Sequence, residues 1–160
     1  MKKILVIEND SSDFEKTVKV VTLFEDVSYF PKEEDDFNFM RSMISRGMKR
    51  ENLATVRSTA VEQIRKTIDG YLLTEPIENI LCICDYELFS GSPEVNGIEF
   101  FKQFMNQNVQ VLFISATKDS GDIRKIEQFA ESLPNALFIS KNDRNFEAKL
   151  EQEVTYFLSA

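Results

Sequence analysis

The chain has 160 residues, of which 42% are hydrophobic, with a formal charge of -8 and no histidine. Its length suits one domain with its own core, and its acidic balance argues against a free-standing binder of nucleic acid or of anionic membranes, both of which need a basic face. No mechanism can use an imidazole from this chain, and no apolar run reaches the length of a signal peptide core or a membrane span, so a cytoplasmic protein is expected.

Residues 3–7 predict a strand that is apolar on both faces, as in the middle of a parallel sheet, and it runs into Glu8-Asn9-Asp10. Ser12 and Glu15 have capping-box spacing, which predicts a helix opening near Asp13 with Phe14, Val18, Val21 and Phe24 inward. Residues 26–31 read as a short strand or a loop. Residues 33–49 predict a helix, with Phe37, Met40, Ile44 and Met48 at helical spacing and acids gathered at its start. Residues 53–57 read as a strand, followed by a helix to position 72 capped by Ser58 or Thr59. Pro76 breaks the chain before a strand over 80–84 that ends in Asp85. Cys82 and Cys84 lie on that strand, and with no further cysteine or histidine to complete a metal site they read as small core residues.

The remaining half alternates cleanly. A loop over 86–96 leads to a helix over 97–106, then to a strand over 109–114 that ends in Ser115. A helix over 122–132 precedes a strand over 136–140 that ends in Lys141, and a helix over 144–158 carries Phe146, Leu150, Val154 and Phe157 as its stripe. Strands alternating with helices predict an α/β fold, a doubly wound parallel sheet with helices on both faces. Ligands of such sheets gather at the carboxyl ends of the strands. Glu8, Asn9, Asp10, Asp85, Ser115 and Lys141 all fall there.

These residue types share one chemistry. Carboxylates crowded at a sheet rim repel each other and call for a counter-charge, which a hard dication such as Mg²⁺ supplies through oxygen ligands. A carboxylate so partnered can attack a phosphoryl group. The Ser115 hydroxyl can hydrogen-bond one phosphoryl oxygen, and the Lys141 ammonium can pair with another.

The order Glu8-Asn9-Asp10, Asp85, Gly97 opening a helix, Ser115-Ala116 and Lys141 resembles the receiver domains of two-component response regulators. The resemblance is good over 2–10 and 80–158 and poor between. It implies a flavodoxin-like, five-stranded parallel sheet with Asp85 as phosphoacceptor. Glu8 and Asn9 would bind Mg²⁺ with Asp10 in reserve, and Glu87 would offer its backbone carbonyl to the ion. Ser115 would be the switch hydroxyl and Phe138 the aromatic switch. The donor would be a histidine kinase or phosphotransfer protein, and output would pass to a downstream protein partner. The residues after Lys141 suffice for one helix, so a single receiver-like domain over 1–160 is expected, standing alone, with its oligomeric state open.

The chain departs from the family pattern in several places. Asn9 stands where a second acid is usual, and Asn142 and Phe89 stand where proline is common. The stretch from Glu8 to Asp85 is long enough to imply an inserted helical segment within 22–52, placed in the helix bearing Met40, Met43 and Met48. That helix reads as packing on its own domain, and the cluster Arg46, Lys49 and Arg50 as a solvated helix end. Two rival functions follow: a pseudo-receiver that binds proteins without being phosphorylated, and a phosphatase of the haloacid dehalogenase type using Asp85-Tyr86-Glu87.

Overall fold

Runs of branched and aromatic residues form five strands: β1 (Lys2–Ile7), β2 (Val27–Phe30), β3 (Ile80–Asp85), β4 (Gln110–Ser115) and β5 (Ala136–Ser140). In the computed structural model, which describes residues 1–160, they make one parallel sheet in the order β2-β1-β3-β4-β5. Six helices connect and follow them: α1 (Ser11–Val21), α2 (Glu34–Met48), α3 (Ala54–Leu72), α4 (Gly97–Phe104), α5 (Ser120–Glu131) and α6 (Phe146–Ser159). A 3-10 turn at Ile77–Asn79 leads into β3.

The alternation of side chains along a strand divides the core in two. Leu5, Ile7, Cys82, Cys84, Val111 and Phe113 pack with residues of α2, α3, α4 and α5. Ile4, Val6, Leu81, Ile83, Leu112 and Ile114 pack on the other face, with residues of α1 and α6. β3 is buried along its whole length, which accounts for its unbroken apolar run and for the two buried free cysteines.

Three local readings change. The N-cap of α1 is Asp10, whose carboxylate accepts from Asp13 N at 2.9 Å, so the helix opens before the expected Ser12 cap. Residues 53–57 are not a strand: α3 starts at Ala54 and runs for 19 residues. The β-branched Thr55 and Val56 suggested a strand, but the buried series Ala60, Ile64 and Ile68 has helical spacing, and packing against α2 overrides local propensity. Residues 26–31 resolve as the edge strand β2. The connection from β2 to β3 therefore contains two helices, α2 and α3, without the expected strand between them.

β1 and β3 are neighbours, yet the chain leaves them in opposite directions, towards β2 and towards β4. This reversal opens a crevice at their carboxyl ends. One side of it is held close by Gly97 at the start of α4, where an added Cβ would lie 2.3 Å from Asp85 O and 3.1 Å from Cys84 Sγ. The Gly97 N–H also donates to Tyr86 O at 2.9 Å. Gly97→Ala is expected to lower stability by about 2 kcal/mol or more, because the obstacle is backbone and cannot step aside; urea denaturation of the two proteins checks it.

Candidate functional site

Four strand ends supply the site, and each reaches the rim because its strand stops there. Asp85 is the last residue of β3 and is paired in register with Ile114, one residue before Ser115. Glu8 follows β1, and Lys141 follows β5. The Lys141 N–H donates to Ser115 O at 2.7 Å, which ties the end of β5 to the end of β4. Glu8 is 4% exposed, Asp85 2% and Ser115 0%, so both acids are removed from water.

The Lys141 ammonium stands among three carboxylates. Its Nζ is 2.7 Å from Glu8 Oε2, 2.9 Å from Asp13 Oδ2 and 3.1 Å from Asp85 Oδ1. The first two are hydrogen bonds. The third contact is an ion pair by distance without hydrogen-bond alignment, and Asp85 Oδ1 is a buried acceptor that receives no hydrogen bond. The other oxygen of Glu8, Oε1, accepts from the backbone of Asn9 at 3.1 Å and of Asp10 at 3.2 Å.

One cation cannot neutralise three acids, and the titration of the site reflects this. The Asp85 carboxyl is pushed up to about 10, chiefly by burial and then by the adjacent Glu8, with Glu87 adding to the rise and Lys141 pulling against it. For Lys141, burial acts to lower the value, but the carboxylates of Asp85 and Glu8 outweigh it and hold the ammonium above its ordinary 10.5.

The Ser115 hydroxyl makes no hydrogen bond to the lysine side chain. Its hydroxyl donates to Glu87 Oε1 at 2.5 Å and accepts from Thr117 N at 3.0 Å. Glu87 lies in the loop after β3, bridged to Asn96.

The structure thus brings Glu8, Asp85 and Lys141 together and sets Ser115 on the same rim. Asn9 is half-buried beside them and contributes a backbone N–H to Glu8. Asp10 is exposed and its carboxylate caps α1, which removes it from the acid cluster. Glu87, expected through its backbone carbonyl, enters through its side chain. Phe138 is half-buried on β5, packed at the border of the larger core. Asn142 donates from its side chain to Ala116 O at 2.7 Å, bracing the ends of β4 and β5. Asp13 is the participant that sequence reasoning missed. Its signal was an acid in the first turn of the helix that leaves the rim, a position read only as a helix start.

The donor set suits a hard dication: two buried carboxylates, a third at the edge and an acceptor oxygen with no hydrogen bond. The carboxylates converge on the ammonium, and no three acidic side chains already stand in the spacing of a metal cage.

No family model matches the chain, and no curated protein is similar to it in sequence. Solved structures are similar in fold. The Mn²⁺-bound form of the response regulator Rcp1 superposes with a TM-score of 0.56 at 14% identity, over 100% of this chain and 96% of that one. A response regulator receiver domain from Rhodospirillum rubrum gives 0.52 at 16% identity, over 99% and 94%. The fold is that of a response-regulator receiver domain. The rim of this fold carries Glu8, Asp85, Ser115 and Lys141.

Two consequences can be measured in metal-free buffer. Lys141→Met strands two buried carboxylates and is expected to cost about 3–5 kcal/mol. Asp85→Asn removes the cost of holding that carboxyl protonated far above its ordinary value and is expected to stabilise the chain at neutral pH. The sign of the pH dependence follows from linkage. The native Asp85 carboxyl binds its proton up to about 10, whereas its ordinary value is 3.8. The native state therefore holds the extra proton between those values, and Asp85's contribution to stability falls as pH rises through that window. Urea midpoints measured across the window are expected to slope downward in the wild type, with a shallower slope in Asp85→Asn.

Proposed function

We propose that this chain is a signalling receiver that accepts a phosphoryl group on Asp85 with the help of Mg²⁺ and passes the signal on by protein contact. The observation that carries this reading is the Asp85 carboxylate, buried at the sheet rim, 3.1 Å from Lys141 and with Oδ1 free of hydrogen bonds.

Mg²⁺, held by Glu8, Asp85 and the Asn9 amide or Glu87 carbonyl, would supply positive charge to the carboxylates and to the transferring phosphoryl oxygens. The rest is done by the chain. The Asp85 oxygen bonds to phosphorus as the bond from phosphorus to the donor's imidazole nitrogen breaks, and the electron pair leaves with the imidazole. A histidine kinase or phosphotransfer protein must bring that imidazole, because this chain has no histidine. Lys141 offers its ammonium to a phosphoryl oxygen. Ser115 must give up Glu87 before its hydroxyl can reach another. The acyl phosphate adds about 1.5 to 2 negative charges at neutral pH, and the movements of Ser115 and Phe138 towards it would carry the change to α5 and β5. No helix of the chain is long and apolar enough to cross a membrane.

A second reading, a binding module that works without phosphorylation, is favoured by two features. Asn9 provides no charge where a second acid would, and the Glu87 carboxylate already holds the Ser115 hydroxyl at 2.5 Å. One experiment separates the readings. After incubation with Mg²⁺ and acetyl phosphate, intact mass spectrometry is expected to show one added phosphoryl group on the wild type and none on Asp85→Asn. An unmodified wild type, together with no response to Mg²⁺ titration, would establish the binding module instead.

A further inference from the structure

The α2–α3 hairpin carries a feature that the phosphoryl site does not use. Between the two helices lies a groove of about 480 Å³ that includes Phe39, Met43 and Arg46 of α2 and Val56 and Ala60 of α3. Phe39 is 39% exposed and Val56 42%. The other faces of these helices already have partners: Met40, Ile44, Met48, Ile64 and Ile68 are in the core. The groove is thus an apolar strip on a two-helix layer that the fold itself does not cover.

Its charges are arranged by position along α2. Glu34, Asp35 and Asp36 occupy the first turn and Arg46 the last. At helical spacing, Asp36, Phe39, Met43 and Arg46 form one stripe, acidic at one end, apolar in the middle and basic at the other. Positions 36 and 46, and positions 39 and 43, share the same midpoint. A second copy turned by a two-fold axis would therefore set Asp36 against Arg46 twice and Phe39 against Met43 twice. Arg41, at that midpoint, projects on the other flank of the helix, so like charges do not meet on the axis.

We infer that the α2–α3 hairpin is a self-association surface, on which two copies of this chain pack antiparallel along α2 to form a four-helix layer. A two-fold interface uses one patch twice and must be complementary to itself, and a stripe with opposite charges equidistant from an apolar centre satisfies that requirement. Antiparallel helix pairs stacked in this way bury the apolar strip as bundles do. The surface shares no residue with the rim, so this inference does not rest on Asp85 being phosphorylated.

Sedimentation equilibrium of the full chain over a concentration series tests this. The wild type is expected to form a dimer. Asp36→Lys and Arg46→Glu each place like charges together and are expected to weaken it about tenfold or more, while the double variant Asp36→Lys/Arg46→Glu exchanges the two ends and restores it to within about threefold. Asp85→Asn is expected to leave it unchanged. Both substituted residues are exposed, and thermal melts of each variant confirm folding. A wild type that stays monomeric throughout overturns the inference and leaves the groove to a different protein. So does a dimer indifferent to both reversals, or one that the double variant fails to restore.

Discussion

The ammonium of Lys141 is what allows the carboxyl end of this sheet to exist. Glu8 and Asp85 are both buried, and two neighbouring carboxylates cannot be taken out of water without a cation between them. Lys141 supplies that cation at 2.7 Å and 3.1 Å, and Asp13 joins at 2.9 Å. Three acids against one base leave the rim short of positive charge. Asp85 lies deep in the crevice, and its burial, with Glu8 beside it, is why its carboxyl holds a proton so far above the usual range. A dication placed there would add the charge that the fold leaves missing.

Topology sets who meets whom at this rim. β1 and β3 are adjacent, so Glu8 and Asp85 are neighbours by construction. β5 is two strands away from β3, roughly 10 Å at ordinary strand spacing. A lysine can cross that gap on its four-carbon stem only if nothing large stands at the end of β4. Ser115 and Ala116 stand there, and both are small. Ser115 accepts the Lys141 N–H through its carbonyl and turns its hydroxyl away to Glu87. On the opposite side Gly97 lets the start of α4 lie against the backbone of Asp85. Small residues at 97, 115 and 116 therefore shape the site as much as the charged ones do.

The sequence made the frame legible where hydrophobic pattern and strand ends coincide. β1, β3, β4 and β5 are runs buried on one or both faces, each ending in a chemically distinctive residue, and their order yields the sheet and the rim. The middle of the chain was harder, because Thr55 and Val56 favour a strand locally while the decisive contacts of α3 are with α2, which no local pattern reveals. Asp10 and Asp13 exchanged roles for a similar reason. Both are acids near a helix start, and only the geometry of the first turn decides that Asp10 caps the helix while Asp13 reaches Lys141. Glu87 was expected through its backbone carbonyl, and the role of its side chain escaped because a side chain that folds back to Ser115 leaves no periodic trace.

The loop after β3 joins the two halves of the molecule. It carries Glu87, which holds the Ser115 hydroxyl, and its Leu88 and Val95 are buried in the same core as Met40, Ile44 and Met48 of α2. Just past the end of α2, Lys49 lies 3.5 Å above the centre of the Phe89 ring, and Arg50 N contacts Glu94 Oε1 at 3.4 Å. Release of Ser115 requires Glu87 to move, and Glu87 cannot move far without disturbing residues anchored on that hairpin. The rigidity of the crossover therefore enters the energetics of the rim through packing, without any direct contact between α2 and Asp85. A chain with a shorter crossover would hold the same four rim residues but would lack this brace on the loop that keeps the Ser115 hydroxyl engaged.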